Sequence, residues 1–126
     1  MSDNTEYLTY RSKIEILVQA FPEVFHKKLP RPLKIGVHND LNAKAAELNL
    51  TEEDIQSCLS IWTQRREYVL GACRLQRRYD LDGSVVEVIS LDHLQGFASR
   101  LARMYSRLNR NFIGMVIANK KGNSNE

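Results

Sequence analysis

The chain is poor in residues that staple or catalyse. Its 126 residues include only two cysteines and three prolines. Cys58 and Cys73 share no Cys-x-x-Cys spacing, so no disulfide framework is encoded and both read as reduced structural thiols. No apolar run approaches the roughly 20 residues needed to span a bilayer, and the polar start from Met1 to Glu6 lacks the layout of a secretory signal. A cytoplasmic location without membrane contact is the expectation. His26, His38 and His93 share no metal-ligand spacing with each other or with the cysteines. There is no phosphate-cradling glycine loop, nucleophile elbow or paired-carboxylate frame, so no catalytic residue, metal or cofactor is expected. The match Asn49-Leu50-Thr51 to a glycosylation sequon reads as a helix start.

What is present is enough for one ordinary domain. A hydrophobic fraction of 43% is that of a folded protein, and the length supports one core without staples. The net charge of +3 is modest, but its distribution is not. Acidic residues concentrate in the first half, at Glu47 and Glu52-Glu53-Asp54, whereas arginines crowd the second. Segregation of this kind makes a local positive field despite a small total. Arginine suits such a field, because its planar guanidinium forks onto phosphate and stacks on bases.

Tyr10, Ile14, Leu17, Val18 and Phe21 recur at spacings of three and four, which predicts a helix from Tyr7 to about Phe21, closed by Pro22. Residues 26–32 read as an irregular link, and Leu33 to Val37 as a short segment of extended or turn character. Asn39 is a suitable N-cap for a second helix carrying Leu41, Ala45 and Leu48. Thr51 and Asp54 form a capping box that starts a third, burying Ile55, Cys58, Leu59 and Trp62 and continuing to a stop at Gly71. Asp82-Gly83 predicts a two-residue hairpin turn pairing Leu81 with Ser84. In that register Tyr79, Leu81, Val86 and Val88 share one face, and Arg78 opposes Glu87 on the other. Ser90 starts a last helix with Leu94, Phe97, Leu101, Met104 and Leu108 towards the core. On it, Arg100, Arg103, Arg107 and Arg110 make one cationic ridge. The apolar stretch from Phe112 to Ala118 is broken by Gly114 and suits a docking strand or a fold-back tail, with a disordered end from Lys120.

Three separated blocks, in this order, carry more information than any element: Arg31-Pro32-Leu33-Lys34-Ile35-Gly36, then Trp62-Thr63-Gln64-Arg65-Arg66-Glu67-Tyr68, then Arg78-Tyr79-Asp80-Leu81-Asp82-Gly83. With them the chain resembles the ProQ/FinO family of RNA-binding proteins, from about Phe21 to about Leu108. The resemblance implies an α+β fold, mainly α-helical, with about five helices packed around a small β-hairpin. It places a domain over residues 1–108 and a partly disordered tail over 109–126. It also implies an RNA chaperone of bacterial type for structured RNA, acting at the base of terminator-like hairpins with a single-stranded 3′ tail. Small RNAs and transcript 3′ ends would be the partners, and the chain a monomer.

Carried onto matching positions, the resemblance puts Lys34, Tyr68 and Arg78 at the RNA-binding face. Read from the residues alone, each has a competing role. Lys34 also fits a solvated surface loop, Tyr68 ordinary packing, and Arg78 a cross-strand pair with Glu87 contributing about 0.2 to 1 kcal/mol. Arg31 either contacts RNA or braces its loop. Arg65, Arg66, Arg74 and Arg77 are auxiliary candidates by neighbourhood, and Arg100, Arg103 and Arg107 divide between RNA contact and solvation. Glu52, Gln56 and Ser60 stand on the third helix where relatives carry basic residues, which bears on the strength of binding. Two other classes stay open: a small helical DNA-binding regulator, and a protein-interaction module docking through Phe112 to Ala118.

Overall fold

The computed structural model describes residues 3–122, with side-chain surroundings for residues 10–107. Its elements are α1 (Asp3–Ala20), α2 (Val37–Ala43), α3 (Ala45–Leu48), α4 (Glu52–Thr63), α5 (Arg66–Leu75), β1 (Arg77–Tyr79), β2 (Val85–Val88) and α6 (Leu91–Gly122). The mainly helical α+β class with one small hairpin is as expected, with six helices among the described residues where about five were anticipated. The extra helices arise from breaks. Lys44 leaves helical geometry at φ −103°, ψ 5° and splits the second helix into α2 and α3. Arg65 is extended at φ −67°, ψ 144° and separates α4 from α5. Its guanidinium lies over the Trp62 ring at 4.5 Å and donates to Lys27 O at 2.7 Å, which holds the break in place.

The core gathers one stripe from each helix around Phe25 and Trp62, whose rings meet at 5.2 Å. Ile14 and Leu17 of α1, Leu41 of α2 and Ile55, Cys58 and Trp62 of α4 are buried together. Burial pushes the Cys58 thiol up to about 11, consistent with an inert structural cysteine. The Thr51 capping box forms reciprocally, with Asp54 N donating to Thr51 Oγ1 and Thr51 N donating to Asp54 Oδ2, both at 3.0 Å. Lys13 Nζ reaches Asp54 at 2.8 Å and ties α1 to this same helix start.

Five expectations are corrected. The second helix begins at Val37 behind Gly36, which takes φ +84°, so Asn39 is not its cap. Gly71 does not end α5: the helix runs to Leu75 and Gln76 adopts the left-handed turn at φ 59°. Glycine is required at 71 because a Cβ there would stand 2.5 Å from Pro30 O, where the loop crosses the helix. The hairpin turn is longer than two residues. Asp80 N bonds Ser84 O at 2.8 Å around Leu81, Asp82 and Gly83, and only Gly83 has positive φ. Arg78 does oppose Glu87, but a bulge follows it, and all of β2 is exposed instead of sharing a half-buried face. Finally, the segment Phe112 to Ala118 continues α6 as helix, not as a docking strand or fold-back tail, and Lys120 to Gly122 of the expected disordered end are helical as well. Residues 123–126 of the expected disordered end lie outside the described residues.

Candidate nucleic-acid interface

Local pairing brings two of the three sequence blocks side by side. Leu33 forms a parallel bridge with Tyr79, with Tyr79 N donating to Pro32 O at 2.8 Å and Lys34 N donating to Tyr79 O at 3.0 Å. β1 is therefore flanked by β2 on one side and by the Leu33-Lys34 segment on the other. Proline at 32 pre-sets an extended path at this position.

The second block, through Tyr68, joins the third, through Arg78, to supply the clamp. Tyr68, in the first turn of α5, is 3% exposed and its hydroxyl accepts the Leu33 N–H at 2.9 Å. Arg78, on β1, is 9% exposed and its Nη1 donates to Leu33 O at 2.9 Å. Both polar groups of one peptide residue are thus held by side chains from elements distant in sequence. Arg78 Nη2 also donates to His93 Nδ1 at 2.9 Å, which requires the imidazole proton on Nε2. Ser90 accepts the His93 N–H at 3.3 Å and starts α6 as expected. Tyr68 packs on Phe97 of α6 at 6.2 Å, and burial raises its hydroxyl pKa above the ordinary value, keeping it neutral.

Beside this clamp Lys34 projects its ammonium to Asp40 Oδ2 at 2.5 Å and to Asp80 Oδ1 at 3.4 Å. Hydrogen bonding to Asp40, then to Asp80, holds its pKa above the usual lysine value against the opposing effect of burial. Lys34 is a cation fixed in position, with its charge partly compensated.

Lys34, Tyr68 and Arg78 line a single open cleft of about 660 Å³. The rest of the lining comes from α2 and α4: Val37, His38 and Asn42 from the first, and Glu52, Ile55, Gln56, Leu59, Ser60 and Thr63 from the second. Lys34 and Arg78 bring cations to this lining, Glu52 an acid, and Val37, Ile55 and Leu59 apolar surface. Glu52, Gln56 and Ser60, the departures noted in the sequence, all face this cleft.

The remaining predicted residues lie elsewhere. Arg31 donates to Gly83 O at 3.2 Å and covers the Tyr79 ring at 5.3 Å, so it braces the hairpin turn. Arg65 packs on Trp62 with Arg11 and Lys27 around a different, smaller pocket. Arg66, Arg74 and Arg77 are exposed and outside the cleft lining. The ridge on α6 is not continuous. Arg100 turns in to donate to Thr63 O at the end of α4 at 3.0 Å, while Arg103 and Arg107 stay exposed. Arg110 lies outside the described side chains. Reading of the sequence missed Asp40, Asp80, Asn42 and the bond of His93 to Arg78. The only signal for the last was a histidine three residues after a helix-starting serine.

The ProQ/FINO family model matches residues 9–111, most of the chain, and the protein belongs to that family. Two solved structures share the fold. A ProQ homologue from Legionella pneumophila is 25% identical over 73% of this chain and 80% of that one, with a TM-score of 0.57. A FinO-like RNA chaperone from Neisseria meningitidis is 15% identical over 85% of this chain and 88% of that one, with a TM-score of 0.60. Among the described residues no helix is long and apolar enough to cross a membrane.

Proposed function

We propose that the protein is a non-enzymatic RNA chaperone that seats the lower stem of a hairpin and the adjoining single-stranded 3′ tail in the cleft formed by Lys34, Tyr68 and Arg78. RNA binding as the class follows from membership of the ProQ/FinO family. The observation that carries the choice of site is the convergence of those three side chains on the Leu33-Lys34 peptide at one cleft.

The three residues divide the work. Lys34 offers a fixed ammonium that exchanges Asp40 and Asp80 for a phosphate. Arg78 has both terminal nitrogens committed within the protein and adds its charge to the cleft wall while fixing the loop. Tyr68, being buried, acts mainly by holding Leu33 and thereby setting where Lys34 stands. A-form RNA hides its base edges in a deep groove, so a surface of this kind reads shape and tail more than sequence. The exposed Arg66, Arg74, Arg77, Arg103 and Arg107 extend the positive field for the stem. Arg65 and Arg100, each docked on a backbone carbonyl, contribute at its edge.

The unit that does this spans residues 1–108 of a cytoplasmic monomer, with 109–126 as its tail, acting on small RNAs and transcript 3′ ends. Crosslinking to RNA in cells followed by sequencing tests the reading: reads pile up at transcript 3′ ends if it holds, and spread evenly along coding regions if it does not. Acceleration of annealing between two complementary small RNAs tests the chaperone activity separately.

A further inference from the structure

A second, smaller cavity lies between α1, the loop at Lys27 and the end of α4, and its charges do not balance. It holds about 220 Å³ and is lined by Arg11, Ile14, Glu15, Lys27, Trp62 and Arg65. That volume is below the roughly 300 Å³ at which pockets for drug-sized ligands begin, so it suits a small group. Three cations meet one carboxylate there. Both oxygens of Glu15 are already taken, Oε2 by Lys27 Nζ at 2.6 Å and Oε1 by Gln19 Nε2 at 3.3 Å. Arg11 has no ion pair among the described residues. Arg65 donates through Nη2 to Lys27 O at 2.7 Å, while its Nη1 and Trp62 Nε1 have no acceptor among the described residues. Both nitrogens are shielded from solvent, so they mark a surplus of donors in the packing around the cavity, not its opening. What the cluster lacks is an anion.

We propose that this cavity is a second phosphate-binding site, which takes a backbone phosphate of a second RNA strand while the Lys34 cleft holds the first. The inference rests on the function proposed above and supplies what annealing requires, two strands held on one molecule. Such tethering raises the effective concentration of each strand for the other. The two sites are separate: among the described residues none of α1 lines the cleft, and none of Lys34, Tyr68 and Arg78 lines the cavity. Arg11 and Lys27 are exposed and can meet a strand arriving from solvent. Arg65 is held in place by Lys27 O and by the Trp62 ring at 4.5 Å, so a cation is fixed there before any ligand arrives. Guanidinium and ammonium groups pair with phosphate through charge-assisted hydrogen bonds, and the bound anion would offset the excess of positive charge.

The test uses the full chain and its only tryptophan, Trp62, whose indole N–H gives a single NMR signal beside the cavity. Inorganic phosphate should move that signal saturably, and chloride at the same ionic strength should leave it in place. Arg11→Ala combined with Lys27→Ala alters only exposed side chains and should weaken the phosphate response about tenfold, with affinity for a tailed hairpin as in the wild type. Once one equivalent of that hairpin is bound, a second strand unable to pair with it should move the signal in the wild type and not in the double variant. Equal response to phosphate and chloride overturns the inference, and so does a double variant that responds as the wild type does. A response to free phosphate with none to the second strand overturns the assignment to RNA and leaves a small-anion site. Equal loss of hairpin and second-strand binding in the double variant makes the cavity part of the first site, which overturns it too. The phosphate arm uses no RNA, so its outcome stands apart from the proposed function, which fails if the hairpin itself does not bind.

Discussion

Tyr68 and Arg78 hold opposite ends of the same residue: the phenol takes the Leu33 N–H and the guanidinium takes the Leu33 carbonyl, both at 2.9 Å. The neighbouring Lys34 is consequently a fixed charge on a clamped backbone, not a mobile lysine on a loop. Preorganisation of this kind lowers the cost of binding, because little ordering is left to do when a ligand arrives.

Removing the Tyr68 hydroxyl alone leaves its ring on Phe97 but orphans a buried amide. Tyr68→Phe should lose about 1 kcal/mol of stability in urea denaturation. It should also weaken RNA binding, through Lys34, more than an exposed-face change such as Arg103→Ala does.

Arg78→Ala leaves the Leu33 carbonyl without its donor and removes a charge from the cleft. Destabilisation of about 1–3 kcal/mol is expected. Arg78→Lys keeps the charge but cannot reach Leu33 and His93 with one planar fork, so its loss of RNA affinity should fall between those of wild type and alanine.

Gln56 lines the same cleft as Lys34 and Arg78. Gln56→Arg should raise RNA affinity several-fold. The salt dependence should steepen by about 0.7 to 0.9 in the slope of log K against log salt, the signature of one added phosphate contact.

At the start of α4, the hydrogen bond from Lys13, followed by those from Thr51, holds the Asp54 carboxyl below its ordinary value of 3.8. The unfolded chain binds the proton more readily, so this contribution is full above about pH 4 and is lost as pH falls through the depressed folded value. Asp54→Asn should therefore be less stable than wild type near neutrality, and the gap should narrow in melts recorded at pH 3.

Gly71→Ala tests the packing beneath the site. With Pro30 O only 2.5 Å from the added carbon, loop and helix must separate, and a loss of about 1–3 kcal/mol is expected despite the better helix propensity of alanine.

The helices were legible where apolar spacing and caps agreed, as along Ile14 and Leu17 or at the Thr51–Asp54 box. They were misread where tertiary contacts override local preference. The crossing of Pro30 over Gly71 turned an apparent helix stop into a packing glycine, and the docking of Arg65 on Trp62 and Lys27 broke one predicted helix into two. The β-hairpin was found from Asp82-Gly83, but loop length depends on backbone geometry that a dipeptide does not specify. Within the candidate site, the resemblance carried by the spaced motifs nominated Lys34, Tyr68 and Arg78, which line one cleft. Their connection through Leu33 was invisible, because it depends on a parallel bridge between segments 46 residues apart. The sequence left Arg31 open between RNA contact and loop bracing and Arg100 between RNA contact and solvation, and only their carbonyl partners show both committed to the fold.

Titration of a hairpin carrying a free U-rich 3′ tail, against the same hairpin cut blunt, with wild type and Lys34→Ala, reaches the central claim most directly. The account predicts that the wild type strongly prefers the tailed RNA and that the preference collapses when Lys34 is removed. Equal wild-type affinity for tailed and blunt hairpins, or a preference that survives in Lys34→Ala, would contradict it.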